Sequence, residues 1–73
     1  MVFSLSDIKE DSEEFEIMKK AAEDGIASAQ HSMGMWQENV AGDFQKAEKW
    51  YSRAKLNGHP SSHQAIEDLH NKA

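Results

Sequence analysis

Cysteine is absent from this sequence of 73 residues. Neither disulfide bonds nor thiolate–metal sites can therefore stabilise the fold, which excludes an extracellular disulfide scaffold. A chain of this length also buries little surface, so its stability is marginal unless its helices pack well or a partner covers them. We expect a single domain over residues 1–73.

Long hydrophobic runs are absent too, since no apolar stretch approaches the roughly 20 residues that a membrane-spanning helix needs. The stretch MVFSLSDIKEDSEEFE at residues 1–16 has neither a basic start nor a long apolar segment. It therefore does not resemble a secretory signal peptide, and we expect a cytoplasmic protein.

Basic charge is scarce in this chain. The net charge is −5, and residues 1–24 carry eight acids against three lysines, so the rest of the chain is neutral. A protein without a basic patch cannot neutralise the phosphates of nucleic acids or of anionic lipids. We therefore expect no nucleic-acid partner and no membrane partner. The acids of this segment are Asp7, Glu10, Asp11, Glu13, Glu14, Glu16, Glu23 and Asp24.

Signals for β-strands are missing, because apolar and polar residues do not alternate over any sustained stretch. Apolar residues instead recur at helical spacing, most clearly at Phe44, Ala47, Tyr51 and Ala54. We expect the second helix to end in a turn at residues 39–42. The prediction is an all-α fold of about four helices, at residues 12–24, 27–38, 43–57 and 60–71.

Capping residues support these boundaries. Asp11 or Ser12 can cap the first helix, and Asp43 can cap the third. Gly25 and Gly58 suit the left-handed conformation that ends a helix. When the sequence is aligned with itself at an offset of 33 residues, Gly25 aligns with Gly58. Apolar residues then align with apolar residues on both sides of the glycine. This self-similarity predicts a two-helix repeat that occurs about twice.

The repeated residues resemble a known family. This chain approaches the family's pattern with the residues Ala29-x3-Met33-Gly34, followed by Asp43-Phe44-x2-Ala47-x2-Trp50-Tyr51-x2-Ala54-x3-Gly58. This arrangement resembles the Sel-one-like repeat, a relative of the tetratricopeptide repeat, over about residues 15–70. The chain departs from the family pattern at Gln37, where tyrosine is usual, at Lys55, where alanine is usual, and in a shorter loop after Asn39.

The resemblance implies a fragment of an α-solenoid, with antiparallel helix pairs in a right-handed superhelix. Its A helices, at residues 27–38 and 60–71, would line a concave surface. Family members mostly act as scaffolds and adaptors in protein complexes. The resemblance therefore implies a non-enzymatic module that binds a partner protein or peptide.

The resemblance also implies, by register, seven A-helix positions that would point away from the B helices, and these are the candidate partner-binding residues. Met35 is the apolar and adaptable member of this set, suited to anchoring a peptide. The alternative is an ordinary mixed polar surface. The seven residues are Ser28, His31, Met35, Glu38, Ser61, Gln64 and Asp68.

The adjacent aromatics Trp50 and Tyr51 could stack a ligand, but packing is the better interpretation, because large aromatics dominate the cores of small proteins. We expect them to pack against Met33, Trp36 and Ile66. Gly34, in the middle of a helix, would allow two helices to approach closely, which offsets its poor helix propensity.

A second hypothesis concerns the acidic N-terminal segment. It could make the chain a small inhibitor or immunity-type protein that blocks a larger enzyme. The simpler interpretation is a solvated face with charges that favour a helix N-terminus. Reversing the charges of Glu10, Glu13, Glu14 and Glu16 would distinguish the two hypotheses, since a groove binder would tolerate the change.

The sequence indicates a metal site or a catalytic site less strongly than it indicates a binding surface. His63, Glu67 and His70 share a helical face and could ligate zinc or nickel, but they also match the polar outer face of a terminal repeat. We expect no metal and no cofactor. No catalytic triad, phosphate-binding loop or paired-carboxylate motif is apparent, so we expect no enzymatic activity.

Stacked repeats usually need about three units for stability, whereas this chain holds fewer than two complete helix pairs. The apolar edge of the first helix should therefore be covered. The segment 1–11 could pack there, through Val2, Phe3, Leu5 and Ile8, or another molecule could do so. We expect either homodimerisation or an obligate partner.

Overall fold

The computed structural model describes residues 9, 10 and 12–72, which form four α-helices and no β-strand. The all-α prediction is confirmed, and each predicted helix is found with its ends displaced by two residues or fewer. The suggested packing of Val2, Phe3, Leu5 and Ile8 lies outside the described residues. The helices are α1 (Glu13–Glu23), α2 (Ala27–Trp36), α3 (Phe44–Leu56) and α4 (Ser61–Lys72).

Side-chain caps begin α1 and α3. Ser12 Oγ accepts a hydrogen bond from the Phe15 backbone N–H at 3.2 Å. Asp43 Oδ1 does the same for the Lys46 N–H at 3.1 Å. These bonds satisfy donors that have no partner within the helix, which is why both helices begin where polar capping residues stand.

Helices α1 and α3 end in the same way. Gly25 and Gly58 both have positive φ, at 97° and 93°. The residue after each glycine donates back to the helix, from Ile26 N to Ala21 O at 3.1 Å and from His59 N to Ala54 O at 2.9 Å. This Schellman geometry recurs at the spacing at which the sequence resembles itself.

The connection between α2 and α3 corrects a sequence-based expectation. The sequence predicts that the second helix ends in a turn at residues 39–42, but the chain continues beyond α2 as a π-helical turn, Gln37–Ala41. The Asp43 N–H donates to Gln37 O at 2.8 Å, and Asn39 Nδ2 donates to Met35 O at 3.1 Å. The wider helical turn therefore keeps residues beyond Trp36 on the same surface as α2.

Two clusters of buried residues form the core of the described part of the chain. Between α1 and α2, buried Phe15 and Met33 pack with their neighbours, and Trp50 of α3 packs against them from the side. Between α3 and α4, Tyr51 packs with Leu69 and Ile66, and only 1% of Tyr51 is exposed. The aromatic pair is therefore core packing, as expected from the sequence.

Gly34 permits close contact between α2 and α3. A Cβ atom at this position would lie 2.5 Å from Cδ1 and Cε1 of Tyr51, which is far inside van der Waals contact. The absence of a side chain on α2 thus lets the Tyr51 ring lie against the helix backbone.

Gln30 joins three helices through two hydrogen bonds of its buried side chain. Its Nε2 donates to Ala22 O at the end of α1 at 2.9 Å, and its Oε1 accepts from Asn57 Nδ2 at the end of α3 at 2.8 Å. Only 3% of Gln30 is exposed, so these bonds satisfy an amide that would otherwise be costly to bury.

Candidate functional site

A groove of about 390 Å³ runs between the C-terminal half of α2, its π-helical turn and α4. Met35 and Ala65 supply apolar surface, and Tyr51 of α3 lies at its base. Polar and charged side chains complete the lining. These are His31, Glu38, Asn39, Asp68, Asn71 and Lys72.

Four of the seven predicted partner-binding residues line this groove, namely His31, Met35, Glu38 and Asp68. The other three are exposed but lie outside its lining: Ser28, Ser61 and Gln64. Gln64 nevertheless donates a hydrogen bond from Nε2 to Asp68 Oδ1 at 3.0 Å, so it supports one of the lining carboxylates.

Sequence reasoning missed five lining residues. Asn71 and Lys72 lie three and four positions after Asp68, so extending the helical stripe by one turn would have found them. Asn39 lies in the π-helical turn, four positions after Met35, so extending the stripe beyond Glu38 would have found it too. Tyr51 and Ala65 reach it through packing between helices, which no local pattern indicates.

Glu38 is the most constrained charged group of the groove. Only 8% of its side chain is exposed. Its Oε1 accepts a hydrogen bond from the Tyr51 hydroxyl at 2.9 Å, and its Oε2 accepts one from Lys72 Nζ. Burial and the carboxylate of Glu38 raise the pKa of Tyr51, so the phenol remains a donor at neutral pH.

A histidine cluster adjoins the groove through His31, which belongs to the lining. The rings of His31 and His59 stack with centroids 4.4 Å apart. Between them, Ser62 Oγ lies 2.8 Å from His31 Nδ1 and 3.3 Å from His59 Nδ1. Burial, followed by the charge of His59, lowers the pKa of His31, so the His31 imidazole favours its neutral form. Ser62 is fully buried.

The three residues considered as metal ligands do not converge. His63 Nε2 lies 3.3 Å from Glu67 Oε1 on the exposed face of α4. His70 Nε2 instead lies 2.6 Å from Glu48 Oε2 of α3. Within residues 9, 10 and 12–72, no group of three or more histidine or acidic side chains has an arrangement suited to a metal ion.

A second surface lies on α1. Ile17 is 63% exposed there, beside a shallow depression of about 560 Å³. Four acids and two lysines surround it, so an apolar side chain stands in a mainly acidic environment. These charged residues are Glu13, Glu16, Lys19, Lys20, Glu23 and Asp24.

Comparisons with known proteins found no family model, no curated protein and no solved structure that matches this chain. In the part of the chain that the structure describes, no helix has the length and apolar character required to cross a bilayer.

Proposed function

We propose that this protein is a non-enzymatic interaction module that binds a segment of a partner protein in the groove between α2 and α4. The observation that carries the proposal is the groove itself, in which four residues selected from the sequence stand together. Relationship to the Sel-one-like repeats, a right-handed superhelix and a cytoplasmic location remain parts of this proposal.

The chemistry of the lining supports a peptide as the occupant. Met35 and Ala65 can hold an apolar side chain, since methionine adapts its shape to what it contacts. Asn39 and Asn71 are exposed and carry amides that both donate and accept hydrogen bonds, which suits the backbone of an extended peptide. The groove volume lies within the range of ordinary ligand pockets.

Selection of peptides from a displayed random library tests the proposal. The blocked variant carries Asp68→Arg and Asn71→Arg, which fill the groove at exposed positions of α4. The matched control carries Glu67→Arg and His63→Arg, which change charge equally on the same helix outside the groove lining.

Peptides that bind the wild type and the control, but not the blocked variant, would support a peptide-binding groove. Failure to enrich any peptide would contradict it, and so would peptides that bind the blocked variant equally well. Melting curves of both double variants establish that each is folded.

The acidic surface of α1 favours a second candidate function. Ile17 could insert into a cleft of a larger enzyme while the acids around it meet a basic rim, as expected for an inhibitor or immunity-type protein. Reversing Glu10, Glu13, Glu14 and Glu16 to lysine would abolish that activity. Binding through the groove would survive the same change.

A further inference from the structure

We propose that the partner segment carries a lysine or arginine whose charged group replaces Lys72 at Glu38, with an apolar side chain beside it on Met35. This inference rests on the proposed function, since it names the chemistry of the segment that the groove binds. The observation behind it is that the two carboxylate oxygens of Glu38 have different kinds of hydrogen-bond partner, one buried and one exposed.

One oxygen of Glu38 has an internal partner. Oε1 accepts a hydrogen bond from the Tyr51 hydroxyl, and 99% of Tyr51 is enclosed by the core, so this bond cannot be exchanged without disturbing the fold. The second oxygen, Oε2, depends on Lys72. A carboxylate that is only 8% exposed needs a donor at each oxygen, because burial without one is costly.

Lys72 is an exchangeable partner. Its side chain is 54% exposed, and its ammonium group is carried on a flexible four-carbon stem. Another ammonium or guanidinium group could therefore take its place while Glu38 stays satisfied. Lys72 thus occupies the position that a basic side chain of a partner would take.

The charge of the groove favours a cation over other groups. Among the described lining residues, Glu38 and Asp68 are carboxylates and Lys72 is the lysine between them. Both carboxylates raise the pKa of Lys72, Glu38 more strongly than Asp68. Once Lys72 moves aside, two negative charges face the incoming group.

The spacing of the anchors suits an extended peptide. Met35 and Glu38 are three positions apart, which places their Cβ atoms roughly 5–6 Å from each other on a helical surface. Residues i and i+2 of an extended peptide point to the same side and lie about 7 Å apart. A basic and an apolar residue separated by one position can therefore contact both anchors.

The probes are three acetylated and amidated peptides of the sequence Ala-X-Ala-Leu-Ala, in which X is lysine, norleucine or glutamate. Each is titrated into the ¹⁵N-labelled protein, and the side-chain amide signals of Asn39 and Asn71 report on groove occupancy. We expect the lysine peptide to bind most tightly and the glutamate peptide most weakly.

Two variants identify the contact. Lys72→Met should tighten binding of the lysine peptide by about two- to fivefold, since the internal competitor is gone. Lys49→Met, at an exposed lysine of α3 outside the groove, is the matched control and should change nothing. Glu38→Gln should remove the preference for lysine over norleucine, while the amide spectrum shows that the protein is folded.

Several results would overturn the inference. Equal binding of the lysine and norleucine peptides would do so, and so would an unchanged affinity of Lys72→Met for the lysine peptide. Either result would still be compatible with the proposed function, a groove that binds peptides. If none of the three peptides shifts the Asn39 and Asn71 signals, the inference fails, and the displayed library decides separately whether the groove binds peptides at all.

Discussion

Gly34 and Tyr51 meet where α2 crosses α3, and the tyrosine ring occupies the space that a Cβ atom at position 34 would need. That atom would lie 2.5 Å from two ring carbons. The ring itself cannot withdraw easily, because it is 1% exposed and its hydroxyl is bonded to Glu38. The interface between the two central helices therefore depends on a glycine.

Gly34→Ala should destabilise the protein. Alanine improves helix propensity by about 1 kcal/mol, but overpacking of a rigid core costs about 1–3 kcal/mol, and a 2.5 Å contact lies at the severe end. The melting temperature should fall by several degrees, since about 1 kcal/mol corresponds to roughly 4–8 °C in a domain of this size. Ser28→Ala, at an exposed position of α2, is the control and should leave melting unchanged. A variant that melts at or above the wild-type temperature would contradict the contact.

Tyr51→Phe should lower stability without opening a cavity. The change removes the hydrogen-bond donor to Glu38 Oε1. The largely buried Glu38 carboxylate then keeps its hydrogen bond from Lys72 but not the one from residue 51. Hydrogen bonds to charged groups contribute about 1.5–3 kcal/mol, so urea unfolding should show a loss of about that size.

A double-mutant cycle with Glu38→Gln separates this bond from other effects of the phenol. If the bond to the carboxylate matters, the two changes together should cost less than the sum of their separate effects. Strict additivity would show that the Tyr51 hydroxyl acts independently of Glu38.

The histidine cluster should make stability depend on pH. In the folded protein the pKa of His31 is lowered from its ordinary value of 6.5. Once the pH falls to about 6.5, the unfolded chain therefore binds more protons than the folded chain does. Stability is therefore complete above about pH 6.5 and is lost as the pH falls below it. The groups that face His31 are His59 from the turn before α4, Ser62 of α4 and Tyr51 of α3.

Urea unfolding at a series of pH values from about 7.5 to about 5.5 measures this loss of stability. Histidine is the side chain that titrates in this pH range. His31→Gln should flatten the pH dependence. The control is His63→Gln, at an exposed histidine paired with Glu67 on α4, and it should retain the wild-type pH dependence. A wild-type stability that is constant over this range would contradict a role for the cluster.

Local chemistry explains which parts of the fold could be predicted. Asp43 and Gly58 define the ends of α3 through bonds within a few residues, so the sequence indicates them directly. The stripe that contains Tyr51 likewise marks a buried helix face. The all-α class follows from these signals, since each helix carries its own periodicity or caps.

The groove could be predicted only in part, because its charges are paired across long stretches of chain. Met35 and Asp68 follow from helical register. The bond from Lys72 to Glu38 joins residues far apart in sequence, and no spacing rule connects them. The π-helical turn also depends on the backbone bond from the Gly42 N–H to Gln37 O, which propensities do not foresee.

Self-association is the remaining expectation that the structure makes testable. Among the described residues, the two most exposed large apolar side chains lie on different helices, Ile17 at 63% and Leu56 at 86%. Ile17 stands among acids, whereas Leu56 lies near the basic end of α3, with Arg53 and Lys55 in the last turn. Opposite charges therefore favour a contact between the α1 face of one copy and the α3 end of another.

We expect light scattering at micromolar concentrations to give a mass above that of one chain, and the excess should shrink as salt is added, because exposed charges are screened. Ile17→Glu and Leu56→Glu should each restore the single-chain mass, since a head-to-tail contact needs both. Val40→Glu, at another partly exposed apolar position, is the control. Association that strengthens with salt would instead indicate that two acidic α1 faces meet, and a single-chain mass throughout would leave a different protein as the partner that covers these residues.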